Sequence, residues 1–198
     1  SKVKVGIIGA TGYVGVELIR LLNSHPQVEL TAIGSNSFVD KSITEVYPSV
    51  GITNDMKCIK NEDVIKECDF IFTALPHGVS EEFVLQAVKE GKKVVDLGAD
   101  FRLKDEKLFN KWYNVSFIDK NLHEQAVYGL CEHYKDEIKN AQVIANPGCY
   151  VTSISLPLMP LLKAKLIKKE NIIADSKSGV TGAGRGLTLL RHYPEINE

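Results

Sequence analysis

The sequence is short of several things, and each shortage narrows what it can be. Its 198 residues carry 24 Lys and Arg against 25 Asp and Glu, a formal net charge of −1. That leaves no basic excess for a nucleic-acid backbone. No apolar run is long enough to span a bilayer. The four cysteines (Cys58, Cys68, Cys131, Cys149) show neither CxxC pairing nor disulfide-like spacing, which predicts a reducing cytoplasm. No His/Cys/Asp/Glu grouping has metal-ligand spacing, so no metal is expected. Repeats and low-complexity stretches are missing, and the first residues enter a strand-like run without a signal peptide. A hydrophobic fraction of 44% suffices for a core. These observations describe a cytoplasmic globular chain.

What is present alternates. β-branched runs predict strands at 3–8, 28–33, 56–59, 69–74, 93–97 and 142–145. Apolar residues at helical spacing predict helices at 12–22, 63–66, 81–90, 105–113 and 132–139. This order implies βαβ units and a mostly parallel sheet. The expected fold is therefore α/β, a Rossmann-like doubly wound domain over residues 1–148. After it, 149–169 reads as one long helix interrupted by Pro157 and Pro160, 171–177 as a strand and 178–186 as a glycine-rich loop. Roughly fifty residues are thin for an independent domain, so 149–198 is expected to be the start of a second α+β domain that is cut off.

Two motifs carry chemistry. Gly9-Ala10-Thr11-Gly12-Tyr13-Val14-Gly15 lies between the first strand and the first helix. There the first glycine permits a tight turn, the second close approach of a pyrophosphate, and the third helix–strand packing. The expected dinucleotide contacts are Gly9, Thr11, Gly12, Tyr13 and Val14. At the end of the second strand, where NAD enzymes carry Asp or Glu, stands Gly34-Ser35-Asn36-Ser37, with Lys41 close behind. Ser35 and Ser37 suit a 2′-phosphate and favour NADP over NAD; as turn caps they would need no ligand. The second motif is Asn146-Pro147-Gly148-Cys149. Its turn would place Cys149 at a helix N-terminus, where free N–H groups and the dipole stabilise a thiolate. The competing reading is a buried structural cysteine. His25, His123 and His133 sit among polar neighbours and are expected on the surface, and Trp112 and Tyr113 read as packing anchors.

With both motifs in hand, the chain resembles the N-acetyl-gamma-glutamyl-phosphate reductase family, relatives of aspartate-semialdehyde dehydrogenase. The resemblance rests on residues 9–15, Leu75-Pro76-His77-Gly78, Asp96-Leu97-Gly98-Ala99-Asp100-Phe101-Arg102, Tyr128-Gly129-Leu130, residues 146–150, and Ser176-Lys177-Ser178-Gly179 through Arg185. It covers essentially the whole chain. Cys131 departs from it, standing where the family has proline. The resemblance implies NADPH-dependent reduction of N-acetyl-gamma-glutamyl phosphate through a Cys149 thioester, in arginine biosynthesis. It implies a substrate role for Arg102, Glu132 and Arg185, and cofactor contacts for Pro76, Ser178 and Gly179, with His77 beside the nicotinamide. Each has a plainer alternative: Arg102 pairing with Asp100 or Asp96, a solvated Arg185, Glu132 opening a helix. The catalytic histidine is expected beyond Glu198 and is not assigned to His192, so this chain alone is expected to react poorly. The full-length protein is expected to be a homo-oligomer. Aspartate-semialdehyde dehydrogenase, a carrier-linked aminoadipyl-phosphate reductase and a non-catalytic NADP-sensing regulator are the rival readings.

Overall fold

The computed structural model of the chain describes residues 1–52 and 55–186. It divides into two compact units, Ser1–Pro147 and Gly148–Glu198.

The first unit grows from β1 (Val3–Ile8), whose neighbours Ile7 and Ile8 are both fully buried and face opposite sides of the sheet. Ile7 packs in a cluster with Ile19 of α1 (Tyr13–Asn23), Ile33 of β2 (Val28–Ile33) and Ile43 of the single-turn α2 (Ile43–Val46). Ile8 belongs to the other cluster, with Val64 of α3 (Asn61–Glu67), Ile71 of β3 (Phe70–Thr73), Val84 of α4 (Ser80–Lys89) and Val94 of β4 (Lys93–Asp96). Each fully buried isoleucine contributes about 2–3 kcal/mol of transfer free energy. Both faces are covered, as a parallel sheet requires. The remaining elements are α5 (Glu106–Tyr113), α6 (Lys120–Gln125), β5 (Val127–Tyr128), α7 (Lys135–Asn140) and β6 (Val143–Ala145).

The strand order is β2-β1-β3-β4-β6-β5, and every pair is parallel. The chain leaves β1 for β2 on one side and crosses to β3 on the other. That reversal opens a crevice at the carboxyl ends of β1 and β3, where open α/β sheets place their ligands. The doubly wound α/β architecture is the one the alternation predicts.

Three local expectations fail for identifiable reasons, and three short elements go unforeseen. Residues 56–59 form no strand: Lys57 and Ile59 make isolated bridges, to Ser42 and Gly34, before the chain turns into α3. The helix expected from 132 starts at Lys135, because His133 and Tyr134 both donate to the Leu130 carbonyl in a turn. α2, α6 and β5, at four, six and two residues, are too short to show a period. Trp112 is 69% exposed and anchors no core; Phe109, one turn earlier, is the buried aromatic of α5.

The second unit opens with α8 (Cys149–Lys163), which contains Pro157 and Pro160. It stops well before residue 169. Lys165 takes a left-handed conformation (φ 56°), and Leu166 N–H reaches back to the Leu161 carbonyl at 2.9 Å. This pattern closes a helix C-terminus. Residues 171–177 are not a strand, having no pairing partner among the described residues. A short 3-10 turn, Val180–Ala183, follows.

Candidate active site

The Gly9–Gly15 loop has the space of a dinucleotide site. Gly9 sits at φ +79°, and a Cβ there would stand 2.5 Å from the Ala74 carbonyl. A Cβ on Gly15 would lie 2.6 Å from the Ala10 main chain, so α1 packs on the strand end only with glycine. Gly12 differs: a Cβ would meet nothing closer than the Gly9 carbonyl at 3.8 Å. The room beside it is open to a phosphate. Gly12 is also the N-cap of α1 and supplies no side-chain cap, which leaves first-turn N–H groups for an anion. Tyr13 and Val14 hold their side chains on the surface. The loop therefore fits a pyrophosphate.

The serines expected at a 2′-phosphate separate. Ser35 is 3% exposed, with its hydroxyl 2.9 Å from Thr11 Oγ1 and accepting from Phe38 N–H at 3.3 Å. It braces the glycine loop from within. Ser37 and Asn36 are exposed, and Lys41 pairs with Glu45 at 3.7 Å. No carboxylate occupies residues 34–37.

At the carboxyl end of β4 lies a buried polar network. Burial pushes the Asp96 carboxyl up, against a 2.7 Å hydrogen bond from Thr73 Oγ1. Asp100, 1% exposed, accepts from Gly78 N–H at 2.6 Å and from Ser80 N–H at 3.0 Å. It thereby shapes the turn carrying Pro76 and His77, both exposed, and caps α4. Arg102 pairs with neither Asp100 nor Asp96. Its Nε donates to the Asn146 carbonyl at 2.8 Å and its Nη2 to the Leu97 carbonyl at 3.0 Å. The guanidinium ties the β4 end to the turn after β6. Glu132 is exposed in a turn preceding α7, so it opens no helix.

His123 is the residue sequence reasoning misplaced. It is fully buried, with Nε2 2.9 Å from Glu81 Oε1 and its ring stacked on Phe117 at 3.4 Å and on Phe101 at 4.6 Å between centroids. The same Glu81 oxygen accepts from Ile118 N–H at 2.9 Å and Asp119 N–H at 2.8 Å. Burial pushes the Glu81 carboxyl up, but the bonds from His123, Asp119 and Ile118 outweigh it and hold it below the usual value. The available signal was the adjacent Leu122, also buried: its neighbour in a short helix need not face water. His25 and His133 are exposed.

In the second unit Cys149 is exposed and is the first residue of α8, so it is not a buried structural cysteine. Gly148 caps that helix without a side-chain bond, no acidic residue occupies the first turn, and Thr152 N–H closes onto the Gly148 carbonyl at 3.0 Å. Ser178, Gly179 and Arg185 are exposed around the 3-10 turn, Ser178 Oγ donating to the Gly179 carbonyl at 3.0 Å. His192 lies outside the described residues. Among the described residues, no group of three His, Cys, Asp or Glu could hold a metal, and no helix is long and apolar enough to cross a membrane.

Comparison with known proteins adds to this geometry. The family model "Semialdehyde dehydrogenase, NAD binding domain" matches residues 4–141, and "Semialdehyde dehydrogenase, dimerisation domain" matches 149–198. A Clostridium beijerinckii protein named N-acetyl-gamma-glutamyl-phosphate reductase is 55% identical over 196 residues, 99% of this chain and 57% of that protein. A protein of the same name from Pelotomaculum thermopropionicum is 49% identical over 198 residues, again 99% and 57%. The chain thus spans 57% of the length of these relatives. Among solved structures, aspartate semialdehyde dehydrogenase with NADP from Candida albicans superposes with a TM-score of 0.57 at 22% identity, over 83% of this chain and 48% of that one. Aspartate semialdehyde dehydrogenase II from Vibrio cholerae gives 0.61 at 19%, over 83% and 43%. At those identities the likeness speaks for the fold.

Proposed function

Because this chain belongs to the semialdehyde dehydrogenase family, we propose that it is the cofactor-binding and nucleophile-bearing part of an N-acetyl-gamma-glutamyl-phosphate reductase, acting in arginine biosynthesis. The observation that carries this is Cys149, exposed at the uncapped N-terminus of a fifteen-residue helix, in a chain whose first βα turn fits a dinucleotide. The substrate follows from the name shared by relatives at 49–55% identity.

The uncapped helix end favours negative charge on sulfur. Cys149 Sγ attacks the acyl carbon of the acyl phosphate; the C–S bond forms, the C–O bond breaks and inorganic phosphate leaves. Splitting the reaction at this thioester replaces one hard step by two easier ones. When bound, NADPH would supply the hydride that takes the acyl group to the aldehyde level. Sulfur then departs as the thiolate, a better leaving group than an alkoxide, and is ready for another turn. Gly9, Gly12 and the first turn of α1, with Thr11, Tyr13 and Val14, hold the pyrophosphate, and Pro76 borders the nicotinamide. The lack of a carboxylate at residues 34–37, with Ser37 exposed, supports NADP over NAD. Ser178 and Gly179 present main chain to the cofactor, while Glu132 and Arg185 meet the substrate's polar groups. Arg102 keeps Nη1 for an anionic group while its other nitrogens fix main chain. The matched dimerisation model supports a homo-oligomer.

The test is a coupled assay of the full-length gene product with N-acetylglutamate semialdehyde, phosphate and NADP, beside Cys149→Ser. Phosphate-dependent NADPH formation is expected, reduced roughly a thousandfold or more by the substitution. Intact NADPH binding without turnover would refute the substrate and point to aspartate or aminoadipate semialdehyde.

A further inference from the structure

Asn61 is an anomaly by residue type. It is the first residue of α3, an element with no ligand in any reading so far, yet it is 2% exposed. Buried amides are hydrogen-bonded. Here Asn61 Oδ1 accepts the Gly9 N–H, fifty-two residues earlier, at 3.2 Å. Gly9 is the left-handed glycine of the dinucleotide loop, and this bond satisfies its main-chain donor.

The surroundings are built around that contact. Ile59 N–H donates to the Ile33 carbonyl and Ser35 N–H to the Ile59 carbonyl, both at 2.9 Å, pinning the segment before Asn61 to the end of β2. A Cβ on Gly34 would stand 2.5 Å from Asn61 Oδ1, so Gly34 leaves the room that the amide fills. Ala10 N–H donates to the Gly34 carbonyl at 2.8 Å, Tyr47 Oη to the Thr11 carbonyl at 2.8 Å, and Thr11 Oγ1 meets Ser35 Oγ at 2.9 Å. Residues 9–11 are thus held by groups just past the end of β2, on α2's C-cap and on α3.

We infer that Asn61 is a positioning residue for the nicotinamide dinucleotide, holding the glycine loop in its binding shape before the ligand arrives. This deepens the reading of the loop as a dinucleotide site and rests on it. A loop already ordered loses less freedom on binding, so its ordering cost does not subtract from affinity. Without the acceptor the Gly9 N–H loses its partner and the loop samples other conformations. A charged acceptor at the same place would keep the bond and oppose the incoming phosphates.

The experiment titrates NADPH fluorescence on the full-length gene product and on Asn61→Ala and Asn61→Asp, from pH 5 to 8. Asn61→Ala is expected to raise the NADPH Kd about tenfold at every pH, the scale of one lost buried hydrogen bond. Asn61→Asp, nearly isosteric and able to accept the same N–H, is expected to bind near wild-type strength when its carboxyl is protonated. It should weaken as the carboxyl ionises beneath the phosphates. A merely structural asparagine would cost stability when substituted but leave the Kd of the folded Asn61→Ala protein unchanged. If Asn61→Ala does not fold, Asn61→Asp decides alone. An Asn61→Ala Kd within twofold of wild type, or an Asn61→Asp Kd that follows wild type across pH, overturns the inference while leaving the dinucleotide site standing. A wild-type protein that binds neither NADPH nor NADH overturns both.

Discussion

Removing the Glu81 carboxylate should be among the most damaging single changes in the first unit. One oxygen, 5% exposed with its side chain, serves two main-chain donors (Ile118 and Asp119) and faces His123 Nε2. Glu81→Ala takes the carboxylate acceptor from the Ile118 and Asp119 N–H groups and removes the charge facing His123. Breaking a buried pair costs about 3–5 kcal/mol. Glu81→Gln keeps an acceptor oxygen but loses the charge, a difference of about 1–2 kcal/mol between charged and neutral hydrogen bonds. At a urea slope of about 2–3 kcal/mol per M, the alanine variant should unfold roughly 1–2 M earlier and the glutamine variant roughly 0.5 M earlier at pH 7. The pH dependence gives a sharper test. The folded Glu81 carboxyl titrates below the ordinary glutamate value of 4.5. Its stabilisation is therefore fully present above about 4.5 and is lost as pH falls through the folded value. Asp96, shifted the opposite way by burial, titrates in wild type and variant alike and drops out of the wild-type minus Glu81→Gln difference. That difference should shrink as pH falls below 4.5. A difference independent of pH, or equal costs for Gln and Ala, would refute the argument.

The glycine loop offers a paired contrast. Gly15→Ala puts a Cβ 2.6 Å from the Ala10 main chain and should lower the melting temperature, whereas Gly12→Ala, with 3.8 Å clearance, should melt like wild type yet bind NADPH at least about tenfold more weakly. Calorimetry with and without NADPH separates the two, and equal melting losses would contradict the geometry. Arg102→Lys keeps a positive charge but cannot reach the Leu97 and Asn146 carbonyls with a planar fork. Steady-state kinetics should show a fall in kcat of about tenfold or more, and unchanged kcat would mean that the clamp is dispensable.

How much of this was legible in the sequence depended on how local the cause was. β1 and β2 were readable to the residue, because a β-branched run ending in glycine needs no distant partner to announce itself. The Gly9–Gly15 loop was readable as a tight βα turn because Gly9 and Gly15 answer its steric demands. Cys149 was readable because Asn-Pro-Gly ends a strand and begins a helix within three residues. The same reasoning failed on 56–59 and 171–177, where strand-like composition lacked a neighbouring strand to pair with. A strand is a relation between two segments, and composition describes one.

The buried polar groups mark the other limit. Ser35 read as a 2′-phosphate contact or a turn cap, and it is buried bracing the glycine loop; His123 looked solvated and is stacked in the core against Glu81. Arg102 looked like a substrate fork or an aspartate partner; it grips two main-chain carbonyls and pairs with neither aspartate. Asn61 drew no attention at all. The sequence by itself determined the alternating elements, the glycine turn after β1 and the helix end at Cys149, since these follow from backbone sterics and short-range periodicity. The tertiary structure alone decided which polar side chains turn inward and what they hold. Those partners stand 24 to 52 residues apart for Ser35, Glu81, Arg102 and Asn61, and only the crossing of the strands brings their donors and acceptors within reach.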